Sequence, residues 1–132
     1  MPGRRRILIA EDDSLVRELV RSKLTSAGYD AHTARCGREA LERMVVVKPH
    51  ALLLDLNLPD IDGFMVLEGL RDQEAAAPAM VLTASGASED VQRAVALGAR
   101  DYLTKDRIQS HLLPRLARML RSAEQAAPAE AA

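Results

Sequence analysis

Acidic residues follow two short apolar segments of the chain, at the point where each segment ends. Asp55 ends the run ALLLD and is followed by a further leucine, Leu56. A buried carboxylate without a partner is costly, so this pattern predicts a strand tip at which the carboxylate meets a cation or a reactant. The segment ILIAEDD near the start of the chain repeats the arrangement with Glu11, Asp12 and Asp13. If the two segments are neighbouring strands, their carboxylates form a cluster that requires a divalent metal ion.

Thr83 and Lys105 add a hydroxyl group and a positive charge to this candidate site, because both follow further apolar segments. Clustered carboxylates repel one another and retain protons unless a cation is present. Mg²⁺ accepts two carboxylates and a carbonyl oxygen and keeps several water molecules. Carboxylates, Mg²⁺, lysine and threonine together suit a phosphoryl dianion placed beside a carboxylate. We therefore predict phosphoryl transfer, in which a carboxylate is the acceptor and forms an aspartyl phosphate.

Short apolar segments alternate with helical patterns along the chain, and this alternation predicts an α/β fold. The predicted strands cover residues 7–10, 30–33, 51–55, 79–83 and 101–103. They are too apolar for a sheet with one face in water, which predicts a parallel sheet covered by helices on both faces. Right-handed crossovers then place the carboxyl ends of all strands at one edge, where ligands bind in open sheets of this kind. The candidate acids, Thr83 and Lys105 all fall at or just beyond this edge.

Between the strands, apolar residues recur with the period of a helix. The predicted core-facing residues are Leu15, Val16, Leu19, Val20 and Leu24 in the first helix; Ala40, Leu41, Met44 and Val45 in the second; Phe64, Val66, Leu67 and Leu70 in the third; Val91, Val95 and Leu97 in the fourth; and Leu112, Leu113, Leu116, Met119 and Leu120 in the fifth. Asp13 or Ser14 is predicted to cap the first helix, and Gly28 to end it. Because proline lacks an N–H group, the last helix is predicted to begin near Pro114, after a looser turn over residues 106–110.

The composition is that of a single globular domain. Of the 132 residues, 48% are hydrophobic and 28% are charged, and the net charge is −1. These values argue against disorder and against a general affinity for nucleic acid. No apolar segment approaches the roughly 20 residues that span a bilayer. Cys36 is the sole cysteine, so the chain forms no internal disulfide, which suits a reducing cytoplasm.

Four motifs, taken in order, resemble the receiver domain of two-component response regulators, the family that includes the bacterial chemotaxis regulator. They are EDD after the first strand, DLNLPDIDG at the third, TA after the fourth and YLTK at the fifth. The resemblance covers residues 5–121 and implies a flavodoxin-like, doubly wound (βα)5 fold with strand order 2-1-3-4-5. A receiver domain is therefore expected over residues 1–122, followed by a flexible Ala-rich tail over residues 123–132.

The resemblance implies a role for each acidic residue of the site. Asp55 is the expected phosphoacceptor and also a ligand of the metal. Asp12 is expected to bind the metal directly, Glu11 to reach it through water, and Asn57 to offer its backbone carbonyl. The implied cofactor is Mg²⁺, with Mn²⁺ as a substitute. Glu11 stands where the family commonly has aspartate, and its longer side chain should still serve a water-mediated contact.

The resemblance also implies which residues surround the phosphoryl group. Thr83 and Lys105 are expected to bind it, together with Asn57, and Ala84 is the small residue that leaves the site open. Tyr102 resembles the aromatic switch of the family, whose side chain turns inward when the threonine moves.

The implied function is a phosphorylation-controlled switch. A sensor histidine kinase or a histidine phosphotransfer protein supplies the phosphoryl group, and a downstream protein target reads a surface formed by the fourth helix, fifth strand and fifth helix. No enzymatic activity is expected beyond self-catalysed phosphotransfer and dephosphorylation, and no direct binding of nucleic acid or membrane. The protein is expected to be cytoplasmic, either as a monomer or as a phosphorylation-dependent dimer.

Two alternatives remain open. Members of the family usually have Lys-Pro after the fifth strand, often with a cis peptide, whereas this chain has Lys105-Asp106. A trans bond is expected here because a non-proline cis bond costs about 2.5–4 kcal/mol. This departure is the only support for a pseudo-receiver that takes no phosphoryl group and acts as a docking module, and the complete set of acids opposes that alternative. The other alternative is a metal-dependent phosphatase with an aspartate nucleophile, although such enzymes typically carry a second acid where this chain has Asn57.

Overall fold

Strands and helices alternate along the chain. A computed structural model of the protein describes residues 3–73, 77–84 and 86–126. The strands are β1 (Arg6–Ala10), β2 (Asp30–Ala34), β3 (Ala51–Asp55), β4 (Ala79–Thr83) and β5 (Asp101–Thr104). The α-helices are α1 (Ser14–Ser26), α2 (Gly37–Val47), α3 (Gly63–Arg71), α4 (Ser88–Ala96) and α5 (Ile108–Ala126), and a 3₁₀ turn (Lys105–Arg107) directly precedes α5. Each predicted strand is present, and β1, β2 and β5 are one residue longer than predicted.

The strands form one parallel sheet in the order β2-β1-β3-β4-β5. This confirms the expected α/β, flavodoxin-like fold. The strand order reverses between β1 and β3, which lie side by side with Ala10 opposite Leu54. In the same register Asp55 lies opposite Leu82, and Thr83 lies opposite Thr104. The carboxyl ends of β1, β3 and β4 therefore meet at the reversal point, the place where open sheets of this class bind ligands.

Alternate residues of each strand face opposite sides of the sheet and fill two separate cores. Leu8 and Leu54 pack with α2, α3 and α4 on one side. Ile9 and Leu53 pack with α1 and α5 on the other side. The central strands are buried on both faces, which explains why their sequences are continuously apolar. Only the ends of these strands can carry polar groups at a low cost in free energy.

Most of the helix residues that were predicted to face the core are buried, but the prediction is wrong for three of them. Leu15, Val45 and Val95 are 81%, 60% and 54% exposed. For Val45 and Val95 the core position is taken by the preceding residue, Met44 or Ala94, which is buried. Successive helix residues point about 100° apart. Because Met44 and Ala94 point into the core, Val45 and Val95 point to the side and remain exposed. Leu15 lies in the first turn of α1, where the following residue, not Leu15, packs on the sheet.

The ends of α1 follow the sequence prediction. The Asp13 carboxylate accepts hydrogen bonds from the N–H groups of Leu15 and Val16, and so caps the helix. At the other end Gly28 has a φ of +92°, the left-handed conformation in which glycine is least strained. The cap keeps Asp13 on the helix and leaves Glu11 and Asp12 as the acids of the strand end.

The prediction that the last helix begins near Pro114 is wrong. α5 begins at Ile108 and contains Pro114, and the turn before it is a 3₁₀ turn over Lys105–Arg107, so it ends three residues earlier than predicted. Ile108, Leu112 and Leu116 form one buried stripe that continues past the proline. Burying each of these side chains contributes about 1.5–3 kcal/mol, which together outweighs the roughly 3 kcal/mol cost of an internal proline.

The end of α5 includes the first residues of the expected tail. The helix continues to Ala126, and residues 127–132 lie outside the described part of the chain. None of the helices in the described ranges combines the length and the apolar character needed to cross a membrane.

Candidate functional site

Three predicted site residues meet at the carboxyl edge of the sheet. Asp55 is the last residue of β3 and is 3% exposed, and Glu11 directly follows the adjacent β1 and is fully buried. Lys105 reaches them from the turn after β5. Its Nζ lies 2.8 Å from Glu11 Oε1 and 3.2 Å from Asp55 Oδ2. The site is therefore built by the ends of three strands and requires the whole sheet to form.

Backbone N–H groups hold both carboxylates in place from the other side. Asp55 Oδ1 accepts the N–H of Asn57 at 3.1 Å. Glu11 Oε2 accepts the N–H of Asp13 at 3.1 Å. Each acid thus presents one oxygen to the loop that follows its own strand and the other oxygen to Lys105.

The cluster carries more negative than positive charge. Burial and the neighbouring Asp55 raise the pKa of Glu11 above the ordinary glutamate value, although Lys105 partly opposes the shift. Burial lowers the pKa of Lys105, but the ion pairs with Glu11 and Asp55 outweigh it and the net pKa is raised. One ammonium group therefore serves two buried carboxylates, and a further cation would relieve the remaining repulsion.

The donor set fits Mg²⁺. Glu11 Oε1 is buried, and besides the ammonium contact it has no partner at hydrogen-bonding geometry in the described part of the chain. Carboxylate and carbonyl oxygens are the ligands that Mg²⁺ prefers, and the ion needs only one or two carboxylates from the protein. Glu11 and Asp55 provide these, and the acidic loop adds Asp12 beside them.

The structure does not bring all the predicted metal ligands together. Asp12 is exposed, and so is Asn57. Among the described residues, no three histidine, cysteine, aspartate or glutamate side chains are grouped as a preformed metal site. Glu11 and Asp55 are in place as a pair, whereas Asp12 is an exposed residue that directly follows Glu11 in the loop.

The remaining predicted residues border the cluster. Thr83 ends β4 and is 7% exposed, and Ala84 follows it at the surface. Tyr102 on β5 is 39% exposed, so its side chain reaches solvent in this conformation. The Lys105–Asp106 bond is trans, as expected, because the described part of the chain contains no cis peptide bond.

Sequence reasoning missed Arg17, which lies one turn into α1. The helical period of the sequence alone assigns it to the polar face of α1, like Arg21. In the structure Arg17 Nη1 donates to the backbone carbonyls of Glu11 and Asp12, at 2.9 and 3.2 Å. The available signal was weak, because an arginine shortly after an acidic turn has the same pattern as any solvated helix residue.

The parallel sheet, its strand order and the acids and lysine at its carboxyl edge are the features expected of the receiver class. Residues 7–117 match the family described as "Response regulator receiver domain". The chain therefore belongs to the response regulator receiver family, as its motifs predicted, and is a receiver domain of a two-component system.

Relatives and solved structures agree with this assignment. The chain is 36% identical over 124 residues to the alkaline phosphatase synthesis transcriptional regulatory protein PhoP of Bacillus subtilis (strain 168), covering 94% of this chain and 52% of that protein. Chemotaxis protein CheY4 of Vibrio cholerae superposes with a TM-score of 0.84 at 30% identity, covering 89% of this chain and 99% of that one. The BeF3-activated receiver domain of Klebsiella pneumoniae RstA gives 0.84 at 32% identity, with the same coverage of 89% and 99%. This chain spans about half the length of the curated relatives it matches.

Proposed function

We propose that this receiver domain accepts a phosphoryl group on Asp55 in a Mg²⁺-dependent step. The observation that carries the proposal is the buried Asp55 carboxylate at a strand end, 3.2 Å from the ammonium of Lys105 and beside Glu11. A carboxylate that is desolvated and adjacent to a lysine is suited to be a nucleophile toward phosphorus. The phosphoryl donor is a sensor histidine kinase or a histidine phosphotransfer protein, as the family implies.

In the proposed step an oxygen of Asp55 forms a bond to phosphorus while the bond from phosphorus to the donor imidazole nitrogen breaks. That nitrogen keeps the electron pair, and because the other ring nitrogen of the phosphorylated donor carries a proton, the donor leaves as neutral imidazole. Lys105 moves from the carboxylates to the phosphoryl oxygens, where its charge stabilises the transferring group. Thr83 ends β4, the strand beside β3, and its hydroxyl is the proposed donor to the same group.

Mg²⁺, when bound, supplies further positive charge to the phosphoryl oxygens. Glu11, Asp12 and Asp55 would hold it, with the backbone carbonyl of Asn57, and Mn²⁺ would serve as a substitute. The N–H of Asn57 already orients one oxygen of Asp55, and the other faces Lys105.

The added group brings roughly −1.5 to −2 charges, which biases an existing equilibrium between two conformations. Thr83 and Lys105 reorganise around it, and the surface of α4, β5 and α5, with Tyr102, changes for a downstream protein target. The domain thus acts as a switch with at most self-catalysed phosphotransfer and dephosphorylation. We further propose a cytoplasmic location, where a thiol such as Cys36 stays reduced.

The test is the intact mass of the protein after incubation with acetyl phosphate and Mg²⁺. The wild-type chain should gain a single phosphate adduct, and Asp55→Asn should gain none while remaining folded by circular dichroism. A metal-free sample is the second control and should also remain unmodified. An adduct on Asp55→Asn would move the acceptor to another residue. An unmodified wild-type chain that also fails to bind beryllofluoride would favour the docking-module alternative.

A further inference from the structure

The acidic loop between β1 and α1 is held by one side chain from the helix that follows it. Arg17 Nη1 donates to the carbonyl oxygen of Glu11 at 2.9 Å and to that of Asp12 at 3.2 Å. These carbonyls belong to the two peptide groups on either side of the Asp12 Cα. A single guanidinium nitrogen therefore fixes both peptide planes that set the direction of the Asp12 side chain.

The rest of the loop depends on the same arrangement. The Glu11 N–H donates to Ala34 O on the neighbouring strand at 3.0 Å, which fixes the start of the loop. The Asp13 N–H donates to the Glu11 carboxylate at 3.1 Å, so the backbone beyond Asp12 also orients the buried acid. Between these two hydrogen bonds, Arg17 binds the loop carbonyls and so holds the loop next to α1.

Arg17 differs from its neighbour one turn further along α1. Arg17 is partly buried and donates to the backbone of the acidic loop. Arg21 is exposed and pairs with Glu18 on the same helix. The two arginines have the same chemistry and helix, so Arg21 serves as a matched control for a change at Arg17.

We propose that Arg17 is a positioning residue for the acid pair Glu11 and Asp12. It holds the loop backbone from which the Asp12 carboxylate, exposed in this structure, turns to a divalent cation. This inference rests on the proposed function, because the cation is the one that the phosphoryl step uses. Arg17 does not touch the cation or the phosphoryl group in this arrangement. It acts through the backbone of the residues that do.

The alternative explanation is that Arg17 matters only as a nearby positive charge, and the two explanations predict opposite signs. Removing a positive charge close to a cation site strengthens cation binding by removing repulsion. Removing a group that orients metal ligands weakens binding, typically by roughly 10- to 100-fold for outer partners of this kind.

The experiment compares Mg²⁺ binding by the wild-type chain, Arg17→Ala, Arg17→Lys and Arg21→Ala, using isothermal titration calorimetry with MgCl₂ and no phosphoryl donor. Arg17→Ala should raise the dissociation constant by about 10-fold. Arg17→Lys, which keeps a charged donor, should recover most of the affinity, and Arg21→Ala should bind as the wild type does. Unchanged or tighter binding by Arg17→Ala would overturn the proposal.

A second readout needs no metal. The Asp13 amide, whose N–H is bound by the Glu11 carboxylate, should lose protection from hydrogen exchange in Mg²⁺-free buffer in Arg17→Ala and keep it in Arg21→Ala. Equal protection in all variants would contradict a positioning role. If Arg17→Ala does not fold, Arg17→Gln replaces it in both the Mg²⁺ titration and the exchange measurement. Glutamine keeps the side-chain stem and an amide donor but not the guanidinium group.

These readouts separate the two proposals. A wild-type chain that binds Mg²⁺ but gains no phosphate from acetyl phosphate contradicts the proposed function, and the Arg17 comparison still holds. A wild-type chain that gains phosphate while Arg17→Ala matches it in Mg²⁺ affinity and amide protection contradicts only the role of Arg17.

Discussion

At the scale of single residues, the shared lysine governs the electrostatics of the site. Lys105 contacts both Glu11 and Asp55, so the folded protein holds two buried carboxylates against one ammonium. This excess of negative charge disfavours the ionised form of Glu11, whose pKa is raised by burial and by Asp55. A site prepared for a cation in this way is less stable without the cation than an uncharged site of the same shape would be.

Glu11→Gln should therefore stabilise the metal-free protein. The amide keeps the shape and an acceptor oxygen for the Asp13 N–H, and it leaves Lys105 paired with Asp55 alone. At neutral pH the free energy of unfolding should rise by about 1 kcal/mol, a typical size for one substitution. Urea unfolding followed by circular dichroism measures it.

The sign of the pH dependence follows from the raised pKa. A raised pKa in the folded state means that Glu11 contributes stability when protonated and loses it as the pH rises through the folded pKa. The advantage of Glu11→Gln should thus be full above the raised pKa and vanish below the ordinary value of 4.5. A constant difference across this range would show that Glu11 is not the group responsible.

The residues foreseen from sequence are those whose position is fixed by a strand end. Asp55, Glu11 and Lys105 follow apolar segments, so the sheet alone brings them near one another. The outward position of Asp12 and the contacts of Arg17 depend on side-chain conformations and on one loop. No periodicity in the sequence encodes these, and for this reason they were not predicted.

At the scale of elements, two helices are stabilised in ways that sequence patterns do not reveal. α2 has Cys36 at its cap position without a side-chain cap bond, and the first N–H groups of the helix are bound by Asp60 instead. Asp60 lies after β3 and has a φ of 65°, a left-handed conformation that aspartate tolerates better than most residues. Such a cap between distant segments cannot be recognised from local spacing, whereas the cap of α1 by its neighbour Asp13 can.

α5 shows the opposite case, in which a correct local rule is overruled. Pro114 cannot donate to the preceding turn, yet the helix passes through it because the apolar residues on both sides are buried. The proline lies on the exposed face, where its ring displaces no core residue. Packing of the whole stripe therefore decides the start of the helix, and a rule based on one residue does not.

Pro114→Ala should stabilise the protein. Alanine restores an N–H donor in the helix interior, which is worth up to about 3 kcal/mol, while the loss of proline rigidity in the unfolded chain returns about 0.4–1 kcal/mol. A net gain of about 2 kcal/mol should appear as a higher urea midpoint with an unchanged slope.

The control for this change is Arg121→Ala, an exposed substitution on the same helix that alters propensity by only a few tenths of a kcal/mol. It should leave the midpoint almost unchanged. A Pro114→Ala protein that is no more stable than this control would mean that the helix already accommodates the proline without an unsatisfied carbonyl.

At the scale of the whole molecule, the two edges of the sheet respond to acid in opposite ways. The carboxyl edge holds Glu11, which favours the folded state when protonated. At the amino edge His50 exchanges hydrogen bonds with the backbone of Arg6. The backbone N–H of His50 donates to the Arg6 carbonyl at 2.7 Å, and the His50 Nδ1 accepts the Arg6 N–H at 2.9 Å. A ring nitrogen that accepts an N–H must be unprotonated, so acid opposes this contact.

The surroundings of His50 also disfavour its protonation. Burial and the charges of Arg6 and Arg5 lower the pKa of His50. The Arg6 guanidinium is held close by, where it donates to the carbonyls of Val47 and Lys48 at the end of α2. Protonation of His50 would therefore add a second cation beside an arginine that the fold cannot move away.

His50→Asn isolates this effect, because the amide oxygen can still accept the Arg6 N–H but does not titrate. A lowered pKa in the folded state gives stability that is present above the unfolded value of 6.5 and is lost as the pH falls. Between about pH 8 and pH 5 the wild type should lose stability relative to His50→Asn, by on the order of 1 kcal/mol or less. Urea unfolding of both proteins across this range tests it, and parallel curves would exclude His50 as the acid-sensitive group. Adding Glu11→Gln removes the opposing contribution of the carboxyl edge. Among the wild type, the two single variants and the double variant, the double variant should therefore have the free energy of unfolding that depends least on pH.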